Sequence, residues 1–428
     1  MTKQYTYKFR IYPNKEQAAF IYDQLGSCRF VYNFFLERAV NLYKIHNIKF
    51  NYYESKKIIP LLKKGFLFLK GCNSQSLQAA LKNLDAAFRN FFQHRAKFPN
   101  FKKKISSNSI SVPQHFDFDI ANDKLLIPKL KSGIKVKFHR RVNETVKSIT
   151  ITRNPSGKYY VNMLVEKTFA PLPITNKVSG MDVGIKSFAV ITSGISVDSV
   201  DCFATLAMTA AKQSTVKIDN PKYLLKSQDK LKKLNRQFAK KTRGSKNKVK
   251  FRKRLSVLHE KVGNQRKDFL HKLSSKTVND SQVIVIEDLN IKGMVKNRHL
   301  SKSISDASWG MFAAQLAYKA DWYGREILKV NRFYPSSKTC PDCGYIKRDL
   351  RLSDRRWTCP VCGTEHDRDD NASINLFLEG LKKVGRVSLE PAHCEPTPAE
   401  YAPAGIRKSV SGYSRHTSKQ EARLFIGG

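Results

Sequence analysis

Cys340-Pro341-Asp342-Cys343 and Cys359-Pro360-Val361-Cys362 stand fifteen residues apart, and each pair is followed directly by a glycine, Gly344 and Gly363. Four thiolates can meet around one tetrahedral zinc ion if each pair closes a tight knuckle turn, and glycine after the second cysteine supplies the backbone freedom for it. A small zinc ribbon is therefore expected over residues 336–364, with Cys340, Cys343, Cys359 and Cys362 as ligands. Four cysteine ligands leave no open coordination position, so this site should stabilise a lobe and perform no catalysis; zinc binding contributes on the order of 10 kcal/mol in isolated fingers. Cys28, Cys72, Cys202 and Cys394 are scattered singly, a distribution that points to metal ligation in a reducing compartment and not to a disulfide framework.

The rest of the chain is long and basic. Its 428 residues amount to roughly three times the ~150-residue domain prior, and 41% apolar content is ample for several cores. Lys and Arg number 78 against 35 Asp and Glu, a net charge of +43. Such an excess repels itself unless a polyanion neutralises it, so nucleic acid is the expected partner. No run reaches the ~18 apolar residues that span a bilayer, and Met1-Thr2-Lys3-Gln4-Tyr5 lacks the apolar core of a signal peptide. No membrane is expected among the partners, and a cytoplasmic location is expected.

Residues 5–11 alternate apolar and polar and read as a half-buried strand ending at Pro13. Helical spacing continues from Lys15 to about Leu42 and again from Ser76 to Phe92, with Ser74 or Ser76 as the cap of the second helix. After a basic loop at residues 98–104, strands dominate: 135–138, 146–152 and 159–165, with Asn154-Pro155-Ser156-Gly157 as a turn. This block, 106–175, reads as a small antiparallel barrel or sheet. If the first strand, within 1–14, joins it, the helical block 15–105 is an insertion into a β domain. From residue 176 strands and helices alternate. Residues 222–273 carry apolar side chains at heptad-like spacing, interrupted at Gly244-Ser245, and predict two basic helices folded back on each other. A solvated hairpin with no ligand is the alternative. The proline-rich stretch 386–428 shows little periodicity and reads as a disordered tail.

Three acidic motifs stand out. In Gly180-Met181-Asp182-Val183-Gly184, small flanking residues let a strand carry its carboxylate close to a phosphate. Val283-Ile284-Val285-Ile286 is the β-branched run of a strand buried on both faces, and it ends at Glu287. Open α/β sheets place active groups near strand ends, which makes Glu287 a candidate ligand. Asp367-Arg368-Asp369-Asp370-Asn371-Ala372 precedes an apolar helical stretch. Taken singly, Asp182 also suits a turn and Asp369 a helix N-cap. Jointly, three carboxylates from distant positions suit a two-magnesium phosphodiesterase, in which ions ~4 Å apart activate water and receive the leaving oxygen.

These motifs, with Asp182-Val183-Gly184-Ile185-Lys186-Ser187-Phe188-Ala189, Ile286-Glu287-Asp288-Leu289-Asn290 and the four-cysteine ribbon in the same order, resemble the TnpB proteins of bacterial and archaeal insertion sequences, relatives of the type V CRISPR effector nucleases. The resemblance implies a multidomain α/β plus β-barrel protein. Its RuvC-type nuclease core of RNase H-like fold would comprise 176–335 and 365–385, with the zinc ribbon inserted between them. A β-barrel (wedge) domain, interrupted by a helical recognition bundle over 15–105, would precede it. The resemblance also implies Asp182, Glu287 and Asp369 as magnesium ligands, Asp369 because the family's ligand lies two residues before the asparagine, here Asn371.

In function the resemblance implies an RNA-guided DNA endonuclease of a bacterial or archaeal cytoplasm, working at the nucleoid. Its expected partners are a guide RNA transcribed from the element's end, double-stranded target DNA and a transposase encoded by the same element. In that scheme sequence specificity lies in base pairing, and the protein supplies a positive channel. A flanking DNA motif would be read between the helical and β blocks, with Gln78 and Lys82 as candidates; both also suit an ordinary surface. The chain departs from the family pattern at 195–219, which reads as a loop insertion able to disturb the first motif's hairpin. A non-cleaving nucleic-acid-binding regulator and a transposase accessory protein are the competing readings.

Overall fold

The computed structural model describes residues 2–104, 109–195, 213–351 and 353–387. Residues 196–212 of the expected insertion and 388–428 of the expected disordered tail lie outside the described residues.

Strand β1 (Thr2–Tyr12) buries Tyr7, Phe9 and Ile11 on one face and leaves Lys8 and Tyr12 exposed, the two-residue period expected of it. It pairs antiparallel with β7 (Tyr159–Thr168) on one side and β5 (Ile134–Lys137) on the other, so the first strand lies in the middle of the sheet. The remaining strands are β2 (Ser109–Val112), β3 (Asp117–Asp119), β4 (Lys124–Leu126) and β6 (Val146–Arg153), in the order β2-β6-β7-β1-β5-β4-β3. The expected barrel does not close. Its edge strands, β2 and β3, are four and three residues long and do not pair with each other, leaving a curled half-barrel.

The helical block is inserted between β1 and β2. It comprises α1 (Lys15–His46), α2 (Tyr52–Gly65) and α3 (Ser74–Phe92). Asn14 caps α1 reciprocally with Gln17: the Gln17 amide donates to Asn14 Oδ1 at 2.8 Å and the Asn14 amide to Gln17 Oε1 at 3.0 Å. The cap of α3 is Asn73, which accepts from the Gln75 amide at 3.1 Å; neither Ser74 nor Ser76 serves, because Ser74 opens the helix and Ser76 is buried within it. Helix α2 is not anticipated from the sequence, since Pro60 interrupts its pattern. All three helices share one apolar core with the half-barrel.

A second, five-stranded sheet begins with β8 (Lys177–Val183), β9 (Ser187–Ile195) and β10 (Ser214–Asp219), and adds β11 (Val283–Glu287) and β12 (Glu326–Val330), in the order β10-β9-β8-β11-β12. The first three run antiparallel, and β11 and β12 run parallel to β8. The stretch expected to be an inserted loop therefore ends in a sheet strand: the β-branched alternation of Thr215-Val216-Lys217-Ile218 pairs with β9, and the β8–β9 hairpin is intact over seven residue pairs.

Basic helices α4 (Gln228–Ala239) and α5 (Lys246–Asp280) fold back as expected, around Gly244 at φ +86°. Leu231 meets Leu255 and Leu258 between them. The far end of α5 then packs under the second sheet, where Leu270, Leu273 and Val278 join Phe312 and Leu316 of α6 (Trp309–Tyr323) against Met181, Ile284 and Ile286. The opposite face is covered by α7 (Arg368–Val387), whose Leu376, Phe377 and Leu381 meet Val178, Val283 and Val285. A short hairpin of β13 (Arg356–Thr358) and β14 (Glu365–Asp367) leads straight into α7. Among the described residues no helix is long and apolar enough to cross a membrane.

Candidate functional site

The period of two along each strand decides where the acidic residues point. On β8, Val178 and Gly180 face α7, so Asp182 faces it too; on β11, Val283 and Val285 do, so Glu287 does as well. Ile286 pairs with Met181, which makes Asp182 and Glu287 neighbours at the ends of adjacent parallel strands. Asp369 enters from above, in the first turn of α7.

Gly180 sets how low that helix can ride. A β-carbon there would stand 2.2 Å from the Phe377 amide nitrogen and 2.5 Å from the Ser373 carbonyl oxygen. Its smallness admits the α7 backbone, and this replaces the reading that it clears space for a phosphate. Thr192 Oγ1, 2.7 Å from Ser373 Oγ, ties the same helix to β9.

Burial, then the carboxylates of Glu287 and Asp369, push Asp182 up to about 7; the Val183 amide and Arg368 pull the other way. Glu287 and Asp369 are therefore both within electrostatic reach of Asp182. They are not drawn into one tight knot: among the described residues, the groups of three or more whose ligand atoms fall within 4.8 Å of one another are Cys340, Cys343, Cys359 and Cys362, and Cys340, Asp342 and His366. Glu287 instead accepts from Ser336 Oγ at 2.6 Å, and Asp369 lies 3.7 Å from Arg355. Hard carboxylate donors on one face, with one ionisation opposed by the other two, form a donor set that fits divalent cations.

The neighbouring acids have other partners. Asp367 accepts from the Asp369 and Asp370 amides at 3.1 and 3.3 Å and so caps α7, and Lys217 Nζ lies 3.3 Å from Asp367 and 2.9 Å from Asp370. Asn371, the reference point for Asp369, is buried and donates to the Thr339 carbonyl at 2.9 Å. Asn375, one turn on, donates to the Ser336 and Thr339 carbonyls, each at 2.7 Å. The segment from Ser336 to Cys340 thus holds Glu287, α7 and the cysteine cluster in one network. Ser336, Lys217, His366 and Asn375 are not identifiable from sequence; each has a partner far away along the chain, as with His366 Nε2, 3.2 Å from Cys340 Sγ.

The cysteine cluster takes the expected form. Cys340 and Cys362 sulfurs are 3.6 Å apart and those of Cys343 and Cys359 3.5 Å, close to the ~3.8 Å edge of a tetrahedron with 2.3 Å metal–sulfur bonds. Gly344 and Gly363 adopt φ of +77° and +75°, and each donates to the first cysteine carbonyl of its pair at 2.9 Å, forming two matching knuckles. Burial pushes Cys340 up to about 12, whereas hydrogen bonds from Thr364 bring Cys362 down to about 6. A bound cation would hold all four as thiolates. Gln78 and Lys82 lie one turn apart on α3, Gln78 half-buried and Lys82 exposed, far in sequence from either cluster.

Comparison with known proteins agrees with this order of parts. The family descriptions matched are a "Helix-turn-helix domain" at 1–48, a "Probable transposase" at 160–298 and a "Cas12f1-like, TNB domain" at 309–376. The first of these covers β1 and the single long helix α1, with no second helix inside it. A protein of Streptomyces pristinaespiralis named "Putative RNA-guided DNA endonuclease" is 34% identical over 379 residues, spanning 88% of this chain and 89% of that protein. One of Escherichia coli strain K12, "Putative RNA-guided DNA endonuclease InsQ", is 29% identical over 89% of this chain and 93% of its own. The Cas12f1 chain of a solved Cas12f1–sgRNA–target DNA complex is similar over 88% of this chain and 99% of its own, at 17% identity and a TM-score of 0.34. The chain belongs to the TnpB family.

Proposed function

We propose that this protein is an RNA-guided DNA endonuclease of a transposable element, cutting DNA matched to a guide RNA from the element's end. The carrying observation is the placement of Asp182 and Glu287 side by side at the ends of parallel strands, beneath the helix whose first turn brings Asp369. The sheet order, three antiparallel strands and then two parallel to the first, supports an RNase H-like core of the RuvC type. The names of its relatives support guide RNA and target DNA as partners, and the net charge of +43 suits a channel for a heteroduplex. A transposase of the same element would act alongside it, and Gln78 and Lys82 would meet the flanking DNA motif.

Asp182, Glu287 and Asp369 would hold two magnesium ions, and the cysteine cluster one structural zinc. Bound magnesium would supply activation of water and stabilisation of the leaving oxygen. The chain's own contribution is position. Ser336 Oγ orients the Glu287 carboxylate, Asp367 fixes the first turn beneath Asp369, and Asn371 and Asn375 clamp α7 to the segment leading into the cysteines.

The test begins by purifying the protein with RNA transcribed from its own locus. A discrete guide-like RNA and magnesium-dependent cutting of a matched duplex are expected; their absence returns the chain to a generic basic DNA-binding protein. Asp369→Ala should lower cutting by more than about a hundredfold, beyond the loss typical of a supporting residue, while Asp370→Ala retains measurable cutting. The opposite ranking would move the ligand by one residue.

Cys340→Ser removes the buried sulfur that His366 contacts. It should reduce bound zinc, measured by elemental analysis, from about one equivalent toward zero. A full equivalent in the variant would refute the assignment of these four cysteines.

A further inference from the structure

We propose that Lys217 is a positioning residue that selects Asp369, out of the carboxylates at 367, 369 and 370, to face Asp182. Lys217 pairs across β10–β9 with Val190, and Val190 pairs across β9–β8 with Asp182. The three stand in one row and point to one face of the sheet. The lysine is thus two strands from Asp182, on the face covered by α7. Its ammonium reaches Asp370 at 2.9 Å and Asp367 at 3.3 Å.

Successive residues of a helix point about 100° apart, so holding Asp370 toward the β10 edge turns Asp369 away from it, toward β8 and β11. The residues below Asp370 on the helix keep to the same line. Ser373 meets Thr192, which in turn lies 2.9 Å from Thr215 Oγ1 of β10, and Phe377 lies over Gly180 and Gly194. Lys217 is the topmost anchor of that face and the one that carries charge. Without it, Asp367 and Asp370 would stand unneutralised beside three further carboxylates, and repulsion would free the first turn to rotate.

This inference rests on the reading of Asp369 as a metal ligand, and two measurements on the full-length protein separate the two. One is amide hydrogen exchange over residues 369–373; the other is Mn²⁺ affinity by electron paramagnetic resonance, both on Lys217→Ala and Lys217→Arg. Lys217 is substantially exposed, so both variants should fold. The alanine variant should exchange these amides about tenfold faster and bind Mn²⁺ about fivefold more weakly, and the arginine variant should stay within about twofold of the unsubstituted protein. Unchanged exchange and affinity in Lys217→Ala would overturn the proposal. So would a fall in DNA cutting with both unchanged, which would place the lysine on the nucleic acid. If the unsubstituted protein binds no Mn²⁺, the ligand reading falls and the selection role falls with it; faster exchange would then mark Lys217 as a helix anchor alone.

Discussion

Gly180→Ala should destabilise the protein by about 3 kcal/mol or more and abolish DNA cutting. The added methyl would lie 2.2 Å from one α7 backbone atom and 2.5 Å from another, and neither can rotate away as a side chain can. The helix must lift from the sheet. Lifting strips Leu376, Phe377 and Leu381 from Val178, Val283 and Val285, and carries Asp369 away from Asp182. Gly194→Ala is the matched comparison: its β-carbon would meet the Phe377 ring at 2.6 Å, and a ring can shift. Thermal melting and a cutting assay on both variants would decide the matter. Wild-type melting and cutting in Gly180→Ala would mean that α7 does not ride directly on β8.

Asp182→Asn should have the opposite effect on stability while also ending cutting. A carboxyl raised from 3.8 to about 7 in the folded state takes up a proton that the unfolded state has released between those values. The folded protein is therefore penalised increasingly as pH rises from about 4 to 7, and fully above 7. Asparagine removes the penalty. Asp182 is only half-buried and solvent screens part of the effect, so the gain should be about 1–3 kcal/mol at pH 8 in chelator, shrinking toward zero near pH 4. Magnesium should raise the melting temperature of the unsubstituted protein and raise that of the variant less, because a ligand stabilises only the state that binds it. An asparagine variant less stable than the parent at pH 8 in chelator would show that the three carboxylates do not oppose one another.

The two expectations have a common source. Apolar and steric contacts seat α7 on the sheet, hydrogen bonds from Ser336, Asn371 and Asn375 set its first turn and Glu287, and burial and the neighbouring carboxylates then oppose the ionisation of Asp182. Asp182 is the residue where that tension is visible. Family members that trade stability for an assembled site would be expected to gain stability when the site is dismantled chemically and to lose it when the scaffold is dismantled sterically.

Much of this architecture is legible in the order of residues. The knuckle glycines, the run Val283-Ile284-Val285-Ile286 ending in Glu287, the hairpin turn at Gly244 and the alternation of β1 are all local patterns, and local patterns are set by backbone sterics and by the period of burial. The differences are of two kinds. Asn73 in place of Ser74 or Ser76 as a cap, and the unanticipated α2, are boundary matters, where several residue types compete for one role. The open half-barrel and the strand β10 are matters of pairing, which depends on partners that sequence spacing does not identify.

Residue types and spacing group four cysteines at one knuckled site and mark Asp182, Glu287 and the acids at 367, 369 and 370 as candidates, because thiolate and carboxylate chemistry is carried by side-chain identity. The choice of Asp369 among those acids rests on the family resemblance, through its offset to Asn371. Residue types and spacing do not say how Asp369 is presented. That depends on Gly180 letting α7 lie against β8, on Asp367 capping its first turn, and on Lys217 of an edge strand holding Asp370 aside. The Asp367 cap is local, but the Gly180 and Lys217 contacts join segments brought together by folding, and their strength falls off within a few ångströms. Proximity of that kind is a property of the packed sheet and helix, and only the tertiary structure could decide it.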